Sequence, residues 1–358
     1  MNRPYLIIPE LVEQPTWGGD YIAKLKGWQG RFGLDSLKIG QSYELWGKSK
    51  LATDIFDSQD LRFGPSYESL PFEKVANVLG PGETMPLLIK INQALGNSFQ
   101  LHIKPETKSD RWLPKPESWY FLEKGFISLG IRPETDQEEY RQTCLAIDQF
   151  MHTLSADISV GKLTLEEGRV KAREFIHTKN PWRFVNTYET NKYDLIDLSM
   201  GAVHHSWEEN RDISPEGNIV FEVQLDSSDD EATIRSFDQG KIKDDGTVRT
   251  LAIDEYFKHL DTDPEHNTIE YMKRSKEGEK LLRTRFYSVD LLELSAPRTI
   301  QMKQSFHHLY VRDGAVEIRA HDVTVRVAKG HSCFVPSSVG SYLIVPQNQN
   351  STLIQTFL

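Results

Sequence analysis

Two neighbouring stretches decide the fold class of this chain: PLLIKINQALGNSFQLHIKP, residues 86–105, and KPESWYFL, residues 115–122. Both contain short apolar or aromatic runs, bounded by Gly, Pro and Asn in the first stretch and by Pro in the second, a pattern typical of short β-strands. Within the first stretch, the tripeptide LGN at 95–97 separates two apolar runs and predicts a tight hairpin. Similar short runs extend through residues 1–130, so we expect this part of the chain to be mostly β-structure.

Beyond this region the sequence pattern changes twice. Apolar residues recur at helical spacing over 134–178, which predicts a helical insertion. The segment IDEYFKHL at 253–260 predicts a further short helix, whereas the acidic segment 226–247 is typical of a loop. Over 284–358, short strands with Gly-centred turns return at nearly even spacing, which indicates a small all-β sandwich or barrel.

The composition limits the possible classes of function. The chain has 358 residues, 38% hydrophobic and 26% charged, which fits a globular protein of two or three structural units. Its 42 basic and 52 acidic residues give a formal charge of -10, which excludes a general attraction for nucleic acid or an anionic membrane. No apolar run is long enough for a membrane span or a signal peptide. The two cysteines, Cys144 and Cys333, fit a reducing compartment, so we expect a cytoplasmic protein.

Four polar residues are of the types that bind a metal ion. Side chains alternate faces along a strand, so Gln100 and His102 are expected to point the same way. Glu117 adds a carboxylate if its strand pairs alongside, and His204 offers a second imidazole. This mixed nitrogen and oxygen set suits Zn²⁺, with Fe²⁺, Mn²⁺ or Co²⁺ as alternatives.

Each of these residues also has an ordinary structural interpretation. A single histidine on a strand is more often a core or surface residue than a ligand, and Glu117 alone fits a solvated carboxylate at a strand end. In the pairs His204-His205 and His307-His308, strand alternation sends the two rings to opposite faces, so at most one ring of each pair can join a cluster. No carboxylate partner is evident near the second pair.

The same stretches resemble the signature of a known family. PLLIKINQALGNSFQLHIKP followed by KPESWYFL is similar to the core motif of the type I mannose-6-phosphate isomerases, the zinc-dependent cupin class. The resemblance covers about residues 15–240, with a looser fit to the C-terminal unit. Further similar motifs follow in the family's order: WGG at 17–19, IGQSYEL at 39–45, GAVH at 201–204, EVQ at 222–224 and RSFD at 235–238.

The resemblance implies roles for individual residues. The residues that match the family's zinc ligands, for one Zn²⁺ per chain, are Gln100, His102, Glu117 and His204. Those that match its catalytic lysine and arginine are Lys115 and Arg235. Those that match positions of the sugar phosphate site are Ser98, Lys90, Trp17 and Glu44.

Four departures from the family pattern fall beside these positions. Pro116 stands in place of a threonine, His205 in place of an alanine and Ile234 in place of a tyrosine, while the proline that follows the family's histidine is displaced to Pro105. The departures leave the metal-binding residue types intact and alter residues that would border the sugar.

The strand pattern and the resemblance together predict a mainly β fold with a helical insertion and two cupin-like (jelly-roll) β-barrels. The predicted catalytic barrel comprises residues 1–130 and 181–245, and the helical insertion comprises 131–180. A connector with a short helix at 246–283 leads to the C-terminal barrel at 284–358.

The implied activity is a metal-dependent interconversion of mannose 6-phosphate and fructose 6-phosphate through a cis-enediol. The expected partner is therefore a small-molecule sugar phosphate, with neither nucleic acid nor membrane. Lys115 and a metal-bound water are both candidates for the base. Two alternatives stay open: an isomerase for a different sugar or sugar phosphate, and a catalytically silent carbohydrate- or metal-binding cupin with a regulatory role. A cupin oxygenase fits less well, because Gln100 does not match its usual set of three histidines and one glutamate.

Overall fold

The computed structural model describes residues 2–15, 17–28, 38–61, 70–80, 82–94, 96–199, 201–206, 215–303 and 305–358. The strands in chain order are β1 Tyr5–Ile8, β2 Glu10–Glu13, β3 Ile39–Leu45, β4 Lys50–Ala52, β5 Phe72–Lys74, β6 Leu87–Ala94, β7 Phe99–Leu101, β8 Glu117–Phe121, β9 Gly125–Ile131, β10 Val185–Thr190, β11 Leu195–Asp197, β12 His204–Ser206, β13 Asn218–Leu225, β14 Ile234–Phe237, β15 Lys273–Arg274, β16 Lys280–Arg283, β17 Ser288–Leu294, β18 Arg298–Gln301, β19 His307–Asp313, β20 Ala315–Ala320, β21 Val323–Ala328, β22 Ser332–Val335, β23 Ser341–Pro346 and β24 Ser351–Phe357. The α-helices are α1 Tyr21–Leu25, α2 Val75–Leu79, α3 Gln137–Ser159, α4 Leu165–Lys179, α5 Asp229–Ala232, α6 Ile253–His259 and α7 Ile269–Met272. In these ranges no helix combines the length and apolar character needed to span a bilayer.

The chain divides into two compact units, of which the first comprises Met1–Gln93, Val220–Asp226 and Arg274–Leu358. An eight-stranded sheet runs in the order β16-β17-β24-β19-β22-β1-β4-β5, and a four-stranded sheet in the order β18-β23-β20-β21. Strands β13, β6, β3 and β2 also lie side by side in this unit. Strand β21 shows the expected alternation, because its even-numbered Thr324 and Arg326 are exposed while Val325 and Val327 are buried.

The second unit comprises Ala94–Ile219 and Ser227–Lys273. Its five-stranded antiparallel sheet has the order β10-β9-β12-β7-β14, and helices α3, α4 and α6 contribute to a shared apolar core with it. Helix α3 begins where the Asp136 carboxylate accepts hydrogen bonds from the backbone N–H groups of Glu138 and Glu139. Helix α4 begins with a capping box between Thr164 and Glu167.

This core determines which side chains of the sheet remain available for chemistry. Phe99 and Leu101 of β7 and Phe237 of β14 are buried in the apolar cluster that includes Tyr140 and Ile147 of α3. Because side chains alternate along a strand, the residue between Phe99 and Leu101 faces away from the helices. The packing of the helices thus assigns one face of this sheet to the core and leaves the other for polar residues.

The mainly β fold with a helical insertion is confirmed, since α3 and α4 occupy the predicted helical region and strands fill most of 284–358. The short helix at 253–260 is also confirmed as α6. The number of barrels and the predicted domain boundaries stay predictions.

Two local predictions are wrong. The tripeptide at 95–97 does not join a hairpin, because β7 pairs with β12 and β14 and belongs to a different sheet from β6. The segment 226–247 is more than a loop, because it contains α5 and β14. Strand β14 is only four residues long, and three of its four residues are buried, so it offers no alternating pattern among the acidic residues around it.

Candidate metal centre

The register of the five-stranded sheet places three predicted site residues in one row. His204 on β12 lies directly opposite Gln100 on β7, and Gln100 lies directly opposite Arg235 on β14. Side chains opposite each other on paired strands project from the same face. The row therefore brings together residues that are far apart in the sequence.

His102 and Glu117 complete a compact cluster with His204. One ligand atom from each of these three buried residues lies within 4.8 Å of the other two. Nε2 of His102 is 3.1 Å from a carboxylate oxygen of Glu117, and the side-chain amide nitrogen of Gln100 is 3.1 Å from Nε2 of His204. Thus the four residues predicted as ligands do converge at one place.

The outward nitrogens of the two histidines are engaged by backbone carbonyls. Nδ1 of His102 donates to the carbonyl oxygen of Ala232 at 2.7 Å, and Nδ1 of His204 faces the carbonyl oxygen of Ala202 at 3.3 Å. This assignment leaves the lone pair on each Nε2, which is the atom that faces the cluster. The lone pair of His102 then faces the Glu117 carboxylate, and two acceptors in contact are stabilised by a cation between them. The donor set fits a divalent metal ion of the zinc type.

Burial and neighbouring charges favour the protonation states that a metal requires. Burial, followed by the nearby His102, lowers the pKa of His204 to about 3. Burial, followed by the charge of Lys115, also lowers the pKa of His102. For Glu117, burial alone would raise the pKa, but Lys115 and His102 hold it well below its ordinary value. The cluster therefore presents two neutral imidazoles and a carboxylate at neutral pH.

Two further side chains hold the Glu117 carboxylate in place. The indole Nε1–H of Trp119 donates to one oxygen at 2.6 Å, and Nζ of Lys115 lies 3.0 Å from the other. Both distances join buried groups, and Lys115 itself is only 5% exposed. A lysine that is both buried and adjacent to the cluster is consistent with the role that the resemblance implies for it.

Arg235 connects to the cluster through Ser98. The Nε–H of Arg235 donates to Oγ of Ser98 at 3.0 Å, and Ser98 donates in turn to the side-chain oxygen of Gln100 at 3.1 Å. The guanidinium also forms an ion pair with Asp229. Ser98 and Arg235 thus form a chain of hydrogen bonds that ends on a candidate ligand.

Asp229 is a site residue that the sequence reasoning missed. Burial alone would raise its pKa, but Arg235 and Lys115 lower it strongly, so this carboxyl is ionised at neutral pH. Its side chain remains 58% exposed, and Thr233 donates a hydrogen bond to it at 2.7 Å. It lay in the acidic segment predicted to be a loop, and its position just before a strand that carries Arg235 was the available signal.

The remaining predicted site residues belong to the first unit. Nζ of the buried Lys90 lies 3.0 Å from the carboxylate of Glu222. Trp17 packs on Gly40, where a Cβ atom would lie only 2.6 Å from the indole ring. The role of Lys90 and Trp17 in substrate binding stays a prediction.

Glu44 also belongs to the first unit, where three donors already engage its buried carboxylate. Lys26 lies 2.7 Å and the Ser42 hydroxyl 2.6 Å from one oxygen, and the Ser332 hydroxyl donates to the other at 2.8 Å. This arrangement gives Glu44 a stabilising role within the unit, and its predicted contact with substrate stays untested.

The fold and the cluster define a class: a mainly β protein with a buried His/Glu/His candidate metal centre. Residues 278–349 match the family model described as mannose-6-phosphate isomerase, cupin domain. No curated protein matches the chain. The family model thus supports the resemblance to the mannose-6-phosphate isomerases at the C-terminal end of the chain.

Solved structures share the fold along the whole chain. The mannose 6-phosphate isomerase from Bacillus subtilis superposes with a TM-score of 0.63 at 16% identity, over 99% of this chain and 100% of that chain. A zinc-bound mannose 6-phosphate isomerase gives a TM-score of 0.65 at 12% identity, over 99% of both chains. A mutant of phosphomannose isomerase from Salmonella typhimurium gives 0.65 at 11% identity, over 100% of this chain and 99% of that chain. At these identities the superpositions show the cupin fold that the chains share.

Proposed function

We propose that this protein is a metal-dependent sugar-phosphate isomerase that interconverts mannose 6-phosphate and fructose 6-phosphate. The observation that carries the proposal is the convergence of His102, Glu117 and His204 with two buried or half-buried cations, Lys115 and Arg235, in one compact unit. A pure metal-binding site has no need of these cations, whereas a reaction that develops negative charge on substrate oxygens does. The similarity to mannose-6-phosphate isomerases in fold and in the C-terminal family model supports the same conclusion.

His102, Glu117 and His204 would hold one Zn²⁺, and Gln100 would add its amide oxygen after a rotation of the amide group. When bound, the ion supplies Lewis-acid polarisation of the hydroxyl and carbonyl oxygens of the sugar. Trp119 and Lys115 fix the Glu117 carboxylate, and the carbonyl of Ala232 fixes the His102 ring. These contacts orient the ligands before any substrate arrives.

The isomerisation requires a proton to move between C1 and C2 of the sugar through a cis-enediol. Lys115 is the candidate for this transfer that lies nearest to the cluster, because its Nζ contacts a carboxylate oxygen of Glu117. Asp229 is the second candidate, since it is ionised and exposed enough to reach a bound substrate. Arg235, held by Ser98 and Asp229, would stabilise negative charge on the substrate.

The test is an isomerase assay on zinc-loaded protein with mannose 6-phosphate, following formation of fructose 6-phosphate, with a chelated sample beside it. The variant Lys115→Met should lower kcat by about 100-fold or more while the protein keeps its zinc. Lys192→Met is the matched control, because Lys192 pairs with Glu123 at 3.0 Å on the exposed surface of the same unit.

Turnover that depends on metal and on Lys115 would support the proposal. Absence of turnover in protein that binds one zinc per chain would contradict it. A panel of other sugars and sugar phosphates would then separate an isomerase of different specificity from a catalytically silent binding protein.

A further inference from the structure

A large cavity opens in the first unit between strands of its two C-terminal sheets. Its volume is about 1080 Å³, near the upper end of the range for sites that bind small organic molecules. Its walls come from β16, β17, β19 and β24 of the eight-stranded sheet and from β18 of the four-stranded sheet. All of the lining residues belong to the first unit, so the cavity contains no residue of the His102, Glu117 and His204 cluster.

One wall of the cavity contains His307, whose two ring nitrogens differ in their hydrogen-bond partners. His307 is 7% exposed, and its Nδ1 contacts both the hydroxyl of Tyr342 at 2.8 Å and the amide nitrogen of Gln355 at 2.7 Å. Because the amide nitrogen of Gln355 can only donate, Nδ1 is an acceptor and the ring proton resides on Nε2. Nε2 has no partner among the described residues, and His307 lines the cavity. Burial lowers the pKa of this histidine to about 4, so the ring is a neutral N–H donor at pH 7.

A donor without a partner among the described residues, beside a cavity, is available to a ligand in that cavity. The contacts from Tyr342 and Gln355 fix the orientation of the ring and join the two sheets, since Tyr342 lies on β23 and His307 on β19. The ring of Phe357 packs on His307 at a centroid distance of 5.5 Å. The imidazole is therefore held rigidly with one donor left for an occupant of the cavity.

The lining of the cavity contains charged groups of both signs. Two lining acids already have arginine partners: Glu279 pairs with Arg298, and Asp290 pairs with Arg283. Lys280 and Lys303, by contrast, form no ion pair with any described residue. Glu83 is the remaining acidic side chain in the described lining, and Lys280 and Lys303 are available to pair with an anionic ligand.

The ion pairs and the apolar residues of the lining indicate which other groups a ligand of the cavity would contain. An arginine beside a carboxylate offers a donor and an acceptor side by side, which suits hydroxyl groups that both donate and accept. Phe306, Phe357 and Ile300 supply apolar surface in the same lining. A hydroxylated ring with C–H faces and one anionic substituent satisfies both features.

We propose that this cavity is a second ligand site, separate from the metal centre, and that it binds an anionic sugar, a hydroxylated ring that carries a phosphate or a carboxylate. Nε2 of His307 donates to the sugar, Lys280 and Lys303 bind the anionic group, and the phenylalanine rings contact the C–H face. The proposal does not depend on the isomerase activity, because none of its residues belongs to the proposed catalytic set.

The test is calorimetric titration with glucose 6-phosphate and with glucuronate, which present a phosphate and a carboxylate on the same ring, and with neutral glucose. Titrations use the zinc-loaded protein and the variant His204→Ala, which removes a candidate metal ligand and leaves the cavity untouched. The double variant Lys280→Ala/Lys303→Ala removes the unpaired cations. Both side chains are exposed, so folding should be unaffected. Lys50→Ala/Lys329→Ala is the matched control, on the same unit and outside the cavity lining.

We expect at least one of the two anionic sugars to bind the His204→Ala variant, and the double variant to weaken that binding by about tenfold or more. His307→Gln should weaken binding of the same sugar. The preferred sugar then identifies the anionic group as phosphate or carboxylate. The proposal is overturned if neither anionic sugar binds once His204 is replaced, if the double variant binds as tightly as the control, or if neutral glucose binds equally well.

Discussion

The side-chain nitrogens of His204 and Gln100 lie 3.1 Å apart across neighbouring strands, at positions that face each other directly in the register. The spacing of these two residues is therefore fixed by backbone pairing in the sheet. Such placement holds side chains more rigidly than a loop does, which is what a metal site requires.

Replacing His204 should abolish metal binding. His204→Ala removes one of the two imidazole nitrogens that face Glu117, and the remaining ligands leave the ion incompletely coordinated. We expect zinc content after dialysis to fall from one ion per chain to a small fraction of that, as measured by elemental analysis. His152→Ala is the control, because His152 lies on α3 with half of its side chain exposed. Retention of full zinc content by His204→Ala would show that the ion binds elsewhere.

Removing the indole donor to Glu117 should weaken metal binding without abolishing it. Trp119→Phe keeps most of the aromatic volume and deletes the hydrogen bond from Nε1 to the carboxylate, 2.6 Å long. Loss of a group that orients a ligand commonly lowers metal affinity by 10- to 100-fold, and we expect a decrease of about that size. Competition with a chromophoric chelator measures the zinc affinity.

The control for this variant is Trp112→Phe, which deletes a 3.3 Å hydrogen bond from an indole to Glu255 in the same unit. Equal zinc affinities of the two variants would mean that the contact to Glu117 does not orient a ligand.

The residues of the candidate centre could be found from the sequence because their chemistry is explicit in short motifs. Gln100 and His102 stand two positions apart, and Glu117 opens the next strand after a proline-rich stretch. What the sequence could not supply was the register that places His204 opposite Gln100. More than 100 positions separate them, and strand order over such distances depends on the tertiary structure.

The errors have related physical causes. The tripeptide at 95–97 has the composition of a hairpin turn, yet the chain passes there from one sheet to another, which a turn-rich sequence permits equally well. Strand β14 was missed because four residues give too short a pattern, and Asp229 was missed with it. The cavity beside His307 could not be predicted, because its lining combines the successive strands β16 to β19 with β24 and with residues from the segment 79–84, and the sequence does not show how these segments pack.

Arg235 should affect turnover and leave metal binding intact. It contacts Ser98 and Asp229 rather than a ligand atom, so Arg235→Ala should retain zinc. Loss of a preorganised charge that stabilises the transition state commonly lowers the rate by 10²- to 10³-fold, and we expect kcat/KM to fall by about 100-fold or more. Steady-state kinetics and zinc analysis on the same preparation check both parts.

The matched control is Arg249→Ala, since Arg249 also pairs with an aspartate, Asp238 at 3.3 Å, on the more exposed surface of the same unit. A parallel loss of zinc and activity in Arg235→Ala would assign this arginine a structural role instead.

Two buried histidines in the first unit should make folding sensitive to mild acid. Burial, followed by the charge of the nearby Lys26, lowers the pKa of His308 to about 3 and that of His331 to about 3. Neither ring nitrogen of His308 has a hydrogen-bond partner among the described residues. Both rings are therefore neutral in the folded protein over the range in which they become charged in the unfolded chain.

The sign of the effect follows from these values. In the unfolded chain a histidine takes up its proton near pH 6.5, whereas the buried ring stays neutral until the pH approaches its lower folded pKa. The free energy of unfolding is therefore highest above pH 6.5 and falls as the pH falls from there towards the folded pKa. For each ring, the free energy of unfolding should decrease by about 1.4 kcal/mol per unit of pH below 6.5, or by about 2 kcal/mol between pH 6.5 and pH 5.

Replacing His308 should reduce this sensitivity. His308→Phe removes one titrating group and suits the contact with Phe221, whose ring lies 6.0 Å away. Because a buried imidazole without partners is also lost, the variant should be at least as stable as the original protein at pH 7. Urea unfolding at about pH 7, 6 and 5 measures the slope, with the exposed His152→Phe as control. The prediction is contradicted if His308→Phe loses stability with falling pH as steeply as the control does. His308 would then take up its proton in the folded protein as readily as in the unfolded chain, and burial would not lower its pKa.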